Sequence, residues 1–253
     1  MTDGLWAWDS PVVQAFAAAV LTMVATGLGA IPVLFTHRLP RRWLGAAYAL
    51  AGGMMVSVSF FDLVLPGLEL GATWELAAGF LAGSLFFSLG SRWVERREWS
   101  VAGLHGAGAR RALLILATMF VHSFPEGVAI GVGYGAGSAE LALFIAVAIA
   151  IHNVPEGLAI SLPMAAEGVG FWRCFGWSVL SSLPQPLAAV PAVLAIVVSQ
   201  RLLPAGLGFA AGAMVFLVLA ELLPESLERS GKHATAWGFV LGFVAMMLAQ
   251  YAL

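Results

Sequence analysis

The sequence predicts an all-α polytopic membrane protein with eight transmembrane helices, two pseudo-symmetric inverted halves, and both termini outside the cytoplasm. Three observations predict it. Of 253 residues, 60% are hydrophobic and only 10% charged, far too little charge for a soluble domain of this size. Eight apolar runs are long enough, or nearly so, to cross a hydrocarbon core of about 30 Å, which takes about 20 helical residues. When those runs are threaded through a bilayer, the lysines and arginines collect on one side. The connections are short and nothing suggests a soluble domain, so residues 1–253 are expected to form one transmembrane domain.

The first run, near 12–36, follows Asp3 and Asp9 with no basic residue before it. A cleavable signal peptide has a basic start and a small-residue cleavage site, so this run is expected to persist as a span. The second, 43–66, carries Ala51-Gly52-Gly53-Met54 and then Asp62 and Pro66. The third, 72–90, precedes the longest connection, Ser91 to Arg110. The fourth, 111–135, and the fifth, 139–164, are the most polar of the eight. The sixth, 173–199, begins near Cys174, the only cysteine, which reads as a small apolar residue near a helix end. One cysteine permits neither an internal disulfide nor a cysteine-based zinc cluster. The seventh, 204–223, echoes the second, because Ala211-Gly212-Ala213-Met214 runs on to Glu221 and Pro224. The eighth is 234–252. Trp6, Trp8, Trp43, Trp93, Trp172 and Trp237 lie near span ends and read as interface anchors.

Eight spans place alternate loops on one side. There they collect Arg38, Arg41, Arg42, Arg92, Arg96, Arg97, Arg110, Arg111, Arg173, Arg229 and Lys232, leaving only Arg201 opposite. The basic side is cytoplasmic. The echo between spans two and seven, with a motif pair on spans four and five, gives halves that run in opposite directions, as inverted repeats do.

That motif pair carries the chemistry. Residues 122–130 read His-Ser-Phe-Pro-Glu-Gly-Val-Ala-Ile, and residues 152–160 read His-Asn-Val-Pro-Glu-Gly-Leu-Ala-Ile. On a helix His122 and Glu126 are one turn apart and share a face, as do His152 and Glu156. Two imidazoles and two carboxylates at hydrocarbon depth are costly unless they face a partner, a cavity or an ion. Pro125 and Pro155 remove amide hydrogens, so the carbonyls of Val121 and Ile151 lose their helical partners. Both motifs sit midway along their spans, so they are expected to meet near the midplane as a cation site. Mixed imidazole and carboxylate suits zinc, iron(II), manganese, cobalt, nickel or cadmium better than calcium or magnesium. Two carboxylates match the charge of one divalent cation. Ser123 and Asn153, beside the histidines, can supply neutral oxygens.

These residues resemble the ZIP (Zrt-, Irt-like) family of divalent-metal transporters, which carries a His-Asn-x-Pro-Glu-Gly-type motif on its fourth and fifth spans. The likeness extends over almost the whole chain, including the Ala-Gly-x-Met segments that lead to acidic ends on spans two and seven. It implies uptake of zinc, or of cadmium, iron(II) or manganese, into the cytoplasm across a bacterial inner membrane. It also implies a homodimer and an elevator-like motion of the spans that hold the site. Two departures stand out: Ser123 occupies a common asparagine position, and Ser182-Leu183-Pro184-Gln185-Pro186 stands where many members read Ser-Gly-x-x-Glu-Pro. Gln185 therefore replaces a carboxylate that helps bind a second ion. Two divalent ions on Glu126 and Glu156 alone would leave excess positive charge in low dielectric, so one principal ion is expected, with Gln185 a neutral lining group or weak ligand.

Asp62 is placed to collect ions at the outer end of span two, and Glu221 and Glu225 to pass them on toward the cytoplasm. For each, helix capping or a plain surface charge is an equal reading. Glu69 reads as a solvated loop charge, Glu95 and Glu98 as part of a solvated charge mixture, and His37, His105 and His233 as solvated groups. No basic patch for nucleic acid is present, and no catalytic cofactor is implied. The alternatives to a transporter are an intramembrane zinc-dependent hydrolase, which needs a general base outside the metal's ligands, and a metal sensor.

Overall fold

The computed structural model describes residues 9–35, 40–70, 73–96, 107–166 and 168–252, and every regular element among them is helical. Trp6, Trp8, His37, Arg38, Arg97, Glu98 and His105 lie outside the described residues. Helix α1 (Pro11–Leu28) starts where the Ser10 side chain accepts from the Val13 amide at 3.3 Å. Pro11 fills the first helical position, where a missing amide hydrogen costs nothing. A 3-10 turn (Ile31–Leu34) ends this rod. Helix α2 (Arg41–Val58) continues through a π-helical turn (Ser59–Val64) into the short α3 (Leu65–Glu69). Helices α4 (Thr73–Arg96), α5 (Ala107–Gly135) and α6 (Ala139–Ala166) follow, with Pro125 inside α5 and Pro155 inside α6.

The sixth predicted span is two helices, α7 (Phe171–Ser181) and α8 (Pro184–Val198). Pro184 and Pro186 lack amide hydrogens, so the Leu180 and Ser182 carbonyls lose their i+4 donors, accept instead from the Leu183 and Gln185 amides, and the chain restarts with proline in the first turn. After a 3-10 turn (Gln200–Leu202), α9 (Leu203–Leu217) runs into a second π turn (Val218–Leu222) and then α10 (Leu223–Ala252). Each π turn ends at a Leu-Pro pair, and each holds one of the acidic residues of the sequence echo, Asp62 or Glu221. A proline ring crowds the carbonyl one turn earlier, and a widened turn relieves that clash. Helix α10 breaks at Gly231 (φ 75°, ψ 164°), a conformation that a residue without a side chain adopts freely. The connection expected between spans seven and eight is thus a single glycine kink.

Five helical stretches among the described residues are long and apolar enough to cross a membrane: Pro11–Leu34, Arg41–Glu69, Ala139–Ala165, Phe171–Val198 and Gln200–Tyr251. The chain is a multi-pass membrane protein. Helices α4 and α5, of 24 and 29 residues, also have the length for a crossing at 1.5 Å per residue. Trp43, Trp93, Trp172 and Trp237 are all exposed.

The helices close on one another through glycines. A Cβ on Gly212 would stand 1.9 Å from the Phe80 carbonyl, so α9 and α4 touch backbone to backbone. Gly127 brings α5 against the Gln185 carbonyl of α8, and Gly157 brings α6 against the Thr26 carbonyl of α1. Without water to expel between helices, such close packing is the main attraction. Two groups result. Helix α2 packs most extensively on α10 and α4 on α9, while α1, α5, α6, α7 and α8 gather around one another. The groups meet where α2 crosses α6 and where α5 meets α9 and α4.

Candidate metal centre

The second group holds the paired motif at its heart. Along α5, His122 and Glu126 project one turn apart, and their Nε2 and Oε1 atoms are 3.3 Å from each other. Glu156 on α6 reaches across to His122, pairing its Oε1 with Nε2. His122, Glu126 and Glu156 are 1%, 0% and 3% exposed, and one ligand atom from each lies within 4.8 Å of the others. Ligands held 2.0–2.2 Å from an ion stand at most about 4.4 Å apart, so small side-chain shifts would close this trio on a cation.

His152 joins through Glu126. Its Nδ1–H donates to the Ala148 carbonyl at 3.0 Å, and its Nε2 lies 3.0 Å from Glu126 Oε1. A carbonyl only accepts, so the proton belongs on Nδ1 and the second nitrogen is aimed at the carboxylate. A neutral imidazole nitrogen facing a carboxylate needs a proton or a metal ion between them. Among the described residues, no lysine or arginine pairs with Glu126 or Glu156. With only the two histidines beside them, two buried carboxylates are costly unless protons or a cation compensate them.

Neutral groups complete the surroundings. The Gln185 amide, in the first turn of α8, donates to Glu126 Oε2, and its oxygen accepts from Thr22 Oγ1 at 2.8 Å. Asn153 Nδ2 donates to the Thr22 carbonyl at 2.9 Å. The other end of that amide, Asn153 Oδ1, is buried without a hydrogen-bonding partner, as is His122 Nδ1. Ser123 is buried beside His122. Thr26 shares a 2.8 Å hydrogen bond with Ser182, which ties α1 to the α7–α8 break. Thr22, Thr26 and Ser182 were not singled out from the sequence. The signal was present in Thr22 and Thr26, two hydroxyls one turn apart in the apolar second half of α1.

The other acidic candidates lie elsewhere. Asp62 is buried and accepts from Gln250 Nε2 at 2.6 Å. It lines a cavity of about 450 Å³ with Glu69, Glu140, Ser138 and Gln250, so Glu69 shares a hollow with two other carboxylates. Along α6, Glu140 is about 18 Å from His152. Glu221 is half-buried in the second π turn. Glu225 accepts from Arg229 Nε at 2.7 Å, and that guanidinium lies 5.8 Å from the centre of the Tyr48 ring. None of the three joins the His122–Glu126–Glu156 trio. Cys174 is buried, with its thiol 3.4 Å from the Val169 carbonyl.

A helical membrane protein with imidazoles and carboxylates converging in its interior belongs to the class that handles cations inside the bilayer. Residues 100–250 match the family described as ZIP Zinc transporter. The chain is 37% identical to Zinc transporter GufA of Myxococcus xanthus over 245 residues, covering 91% of this chain and 96% of that protein. It is 36% identical to Zinc transporter ZIPB of Bordetella bronchiseptica over 241 residues, 90% of this chain and 78% of the relative. Over 148 residues, 56% of this chain, it is 42% identical to human Zinc transporter ZIP11, of which it spans 43%. The chain belongs to the ZIP zinc transporter family.

Proposed function

We propose that this protein carries divalent transition-metal ions, zinc foremost, into the cytoplasm through the site on α5 and α6. The observation that carries the reading is the buried trio of His122, Glu126 and Glu156 on two adjacent helices, with no lysine or arginine paired to it among the described residues. Zinc is the cargo. His122, His152, Glu126 and Glu156 bind it, with Asn153 Oδ1 and Ser123 as neutral oxygens nearby. Cadmium, iron(II) and manganese, which accept the same ligands, are further cargo. Relatives named zinc transporters point to a transporter rather than an enzyme. A hydrolase would need a carboxylate free of the metal, and both motif glutamates lie within the trio.

The arrangement proposed around this site has eight spans with both termini outside, halves of inverted orientation, and a homodimer in a bacterial inner membrane. The distribution of basic residues supports the orientation, and the two π turns before Leu-Pro support the related halves. Alternating access would follow from the group of α1, α5, α6, α7 and α8 sliding past the group of α2, α4, α9 and α10. Asp62 would gather ions on the outer side, while the Arg229 pairing leaves Glu225 the weakest of the pathway candidates.

Zinc flux into proteoliposomes loaded with a metal-sensitive dye tests the reading. Saturable flux is expected from the wild-type protein and none above background from Glu156→Ala. Equal flux from both proteins would remove the site from transport.

A further inference from the structure

We infer that Thr22 of α1 is a positioning residue for the metal site, fixing Gln185 as a hydrogen-bond donor to Glu126 so that the site takes a single ion. The inference rests on the metal-site reading above. Its basis is a hub of hydrogen bonds that meets at one residue. The Thr22 hydroxyl donates to Gln185 Oε1 at 2.8 Å, and the opposite end of the same amide donates to Glu126 Oε2. The amide has one donor end and one acceptor end, so an outward oxygen forces an inward N–H. In that orientation Gln185 offers no oxygen to an ion and its N–H occupies Glu126 Oε2, leaving one fewer carboxylate oxygen open to a second ion.

The Thr22 carbonyl acts on the other amide in the opposite sense. It accepts from Asn153 Nδ2 at 2.9 Å, and the end left over is the buried, unpartnered Asn153 Oδ1. A single residue therefore sets one amide with its donor toward a carboxylate and the other with its acceptor free. The hydroxyl is also 2.9 Å from the Ala19 carbonyl, and its one hydrogen cannot serve both oxygens fully. Donation to Ala19 would leave the hydroxyl oxygen to accept from Gln185, turning the glutamine oxygen toward Glu126. Two acceptors then face each other, so the Glu126 carboxylate selects the first arrangement. Thr22, Gln185, Asn153 and Glu126 are all buried, so water cannot substitute for a missing partner.

A double-mutant cycle in proteoliposomes tests the inference, with zinc as the probe and KM and maximal flux read separately. Thr22→Val is expected to raise KM about fivefold, with maximal flux per folded protein within about twofold of wild type. Thr22→Ser, which keeps the hydroxyl, should restore KM. In a Gln185→Ala background, with no amide left to orient, Thr22→Val should change KM by less than about twofold. A purely structural role would give equal costs in both backgrounds, and that result overturns the inference, as does a wild-type KM in Thr22→Val. Thr22→Ala serves in the same cycle if the valine variant fails to fold. Cadmium titration of the purified protein adds a count: one site-bound ion in wild type and a second in Gln185→Glu. Two in wild type would also overturn it. Glu156→Ala runs alongside, because flux surviving that change would remove the metal-site reading itself and not the role of Thr22 alone.

Discussion

Asn153 shows how much rests on one side chain. Its nitrogen is held by the Thr22 carbonyl, and its oxygen is buried with no donor. An orphaned acceptor in a membrane interior is expensive, and a cation beside it removes the expense. Asn153→Ala is therefore expected to raise the KM for zinc about tenfold while maximal flux changes little, as for groups that tune a metal site without carrying its charge. Flux titration measures this, and an unchanged KM would assign Asn153 to packing alone. His122, Glu126, His152 and Glu156 were legible in the sequence because a spacing of four places both groups on one helix face. Thr22 was not legible, because its partners are more than 130 positions away and only the folded bundle brings them together.

Among the elements, the apolar runs anticipated the helices but not their interruptions. Hydrophobicity sets where a rod lies in the bilayer, whereas prolines and a positive-φ glycine set where it breaks. Pro184 and Pro186 split the sixth span, and Gly231 reduces the final connection to one residue. Glycine spacing left the pairing of the rods open, since small residues suit many contacts. Two substitutions separate these roles. A Cβ on Gly157 would stand 1.7 Å from the Thr26 carbonyl, so Gly157→Ala must part α6 from α1, at a cost of about 1–3 kcal/mol. Gly231 has open space around it but a φ of +75°, so Gly231→Ala costs only backbone strain, about 1–3 kcal/mol. In thermal unfolding in detergent, Gly157→Ala is expected to melt lower and also to weaken zinc binding, because the same α1–α6 contact carries the Thr22–Asn153 bond. Gly231→Ala should leave zinc binding intact.

For the molecule as a whole, the basic residues make the orientation testable. Arg173 and Arg201 are both exposed and lie at opposite ends of the α7–α8 rod. In a Cys174→Ala background, Arg173→Cys is expected to react with an impermeant maleimide from the cytoplasmic side only, and Arg201→Cys from the other side only. Labelling of both from one side would overturn the threading. The division into two helix groups was not legible in the sequence, because every rod is apolar on most of its circumference and hydropathy does not distinguish a neighbouring helix from lipid.

The two motif carboxylates would also make an empty, unprotonated site and a loaded one electrically different. In the carrier proposed above, a vacant site left unprotonated, with Glu126 and Glu156 ionised and both histidines neutral, would bear two negative charges that a divalent ion would cancel. A membrane voltage does work only on net charge, about 2.3 kcal/mol per charge for each 100 mV. On that reading the inward trip with metal would be almost unaffected by the field. The outward return of such an unprotonated vacant site would be driven by a negative interior, so on the proposed inward-carrier reading a resting potential would reset the transporter. Imposing an inside-negative potential on the vesicles is expected to raise maximal zinc flux. Flux indifferent to voltage would mean that protons replace the metal on the way back.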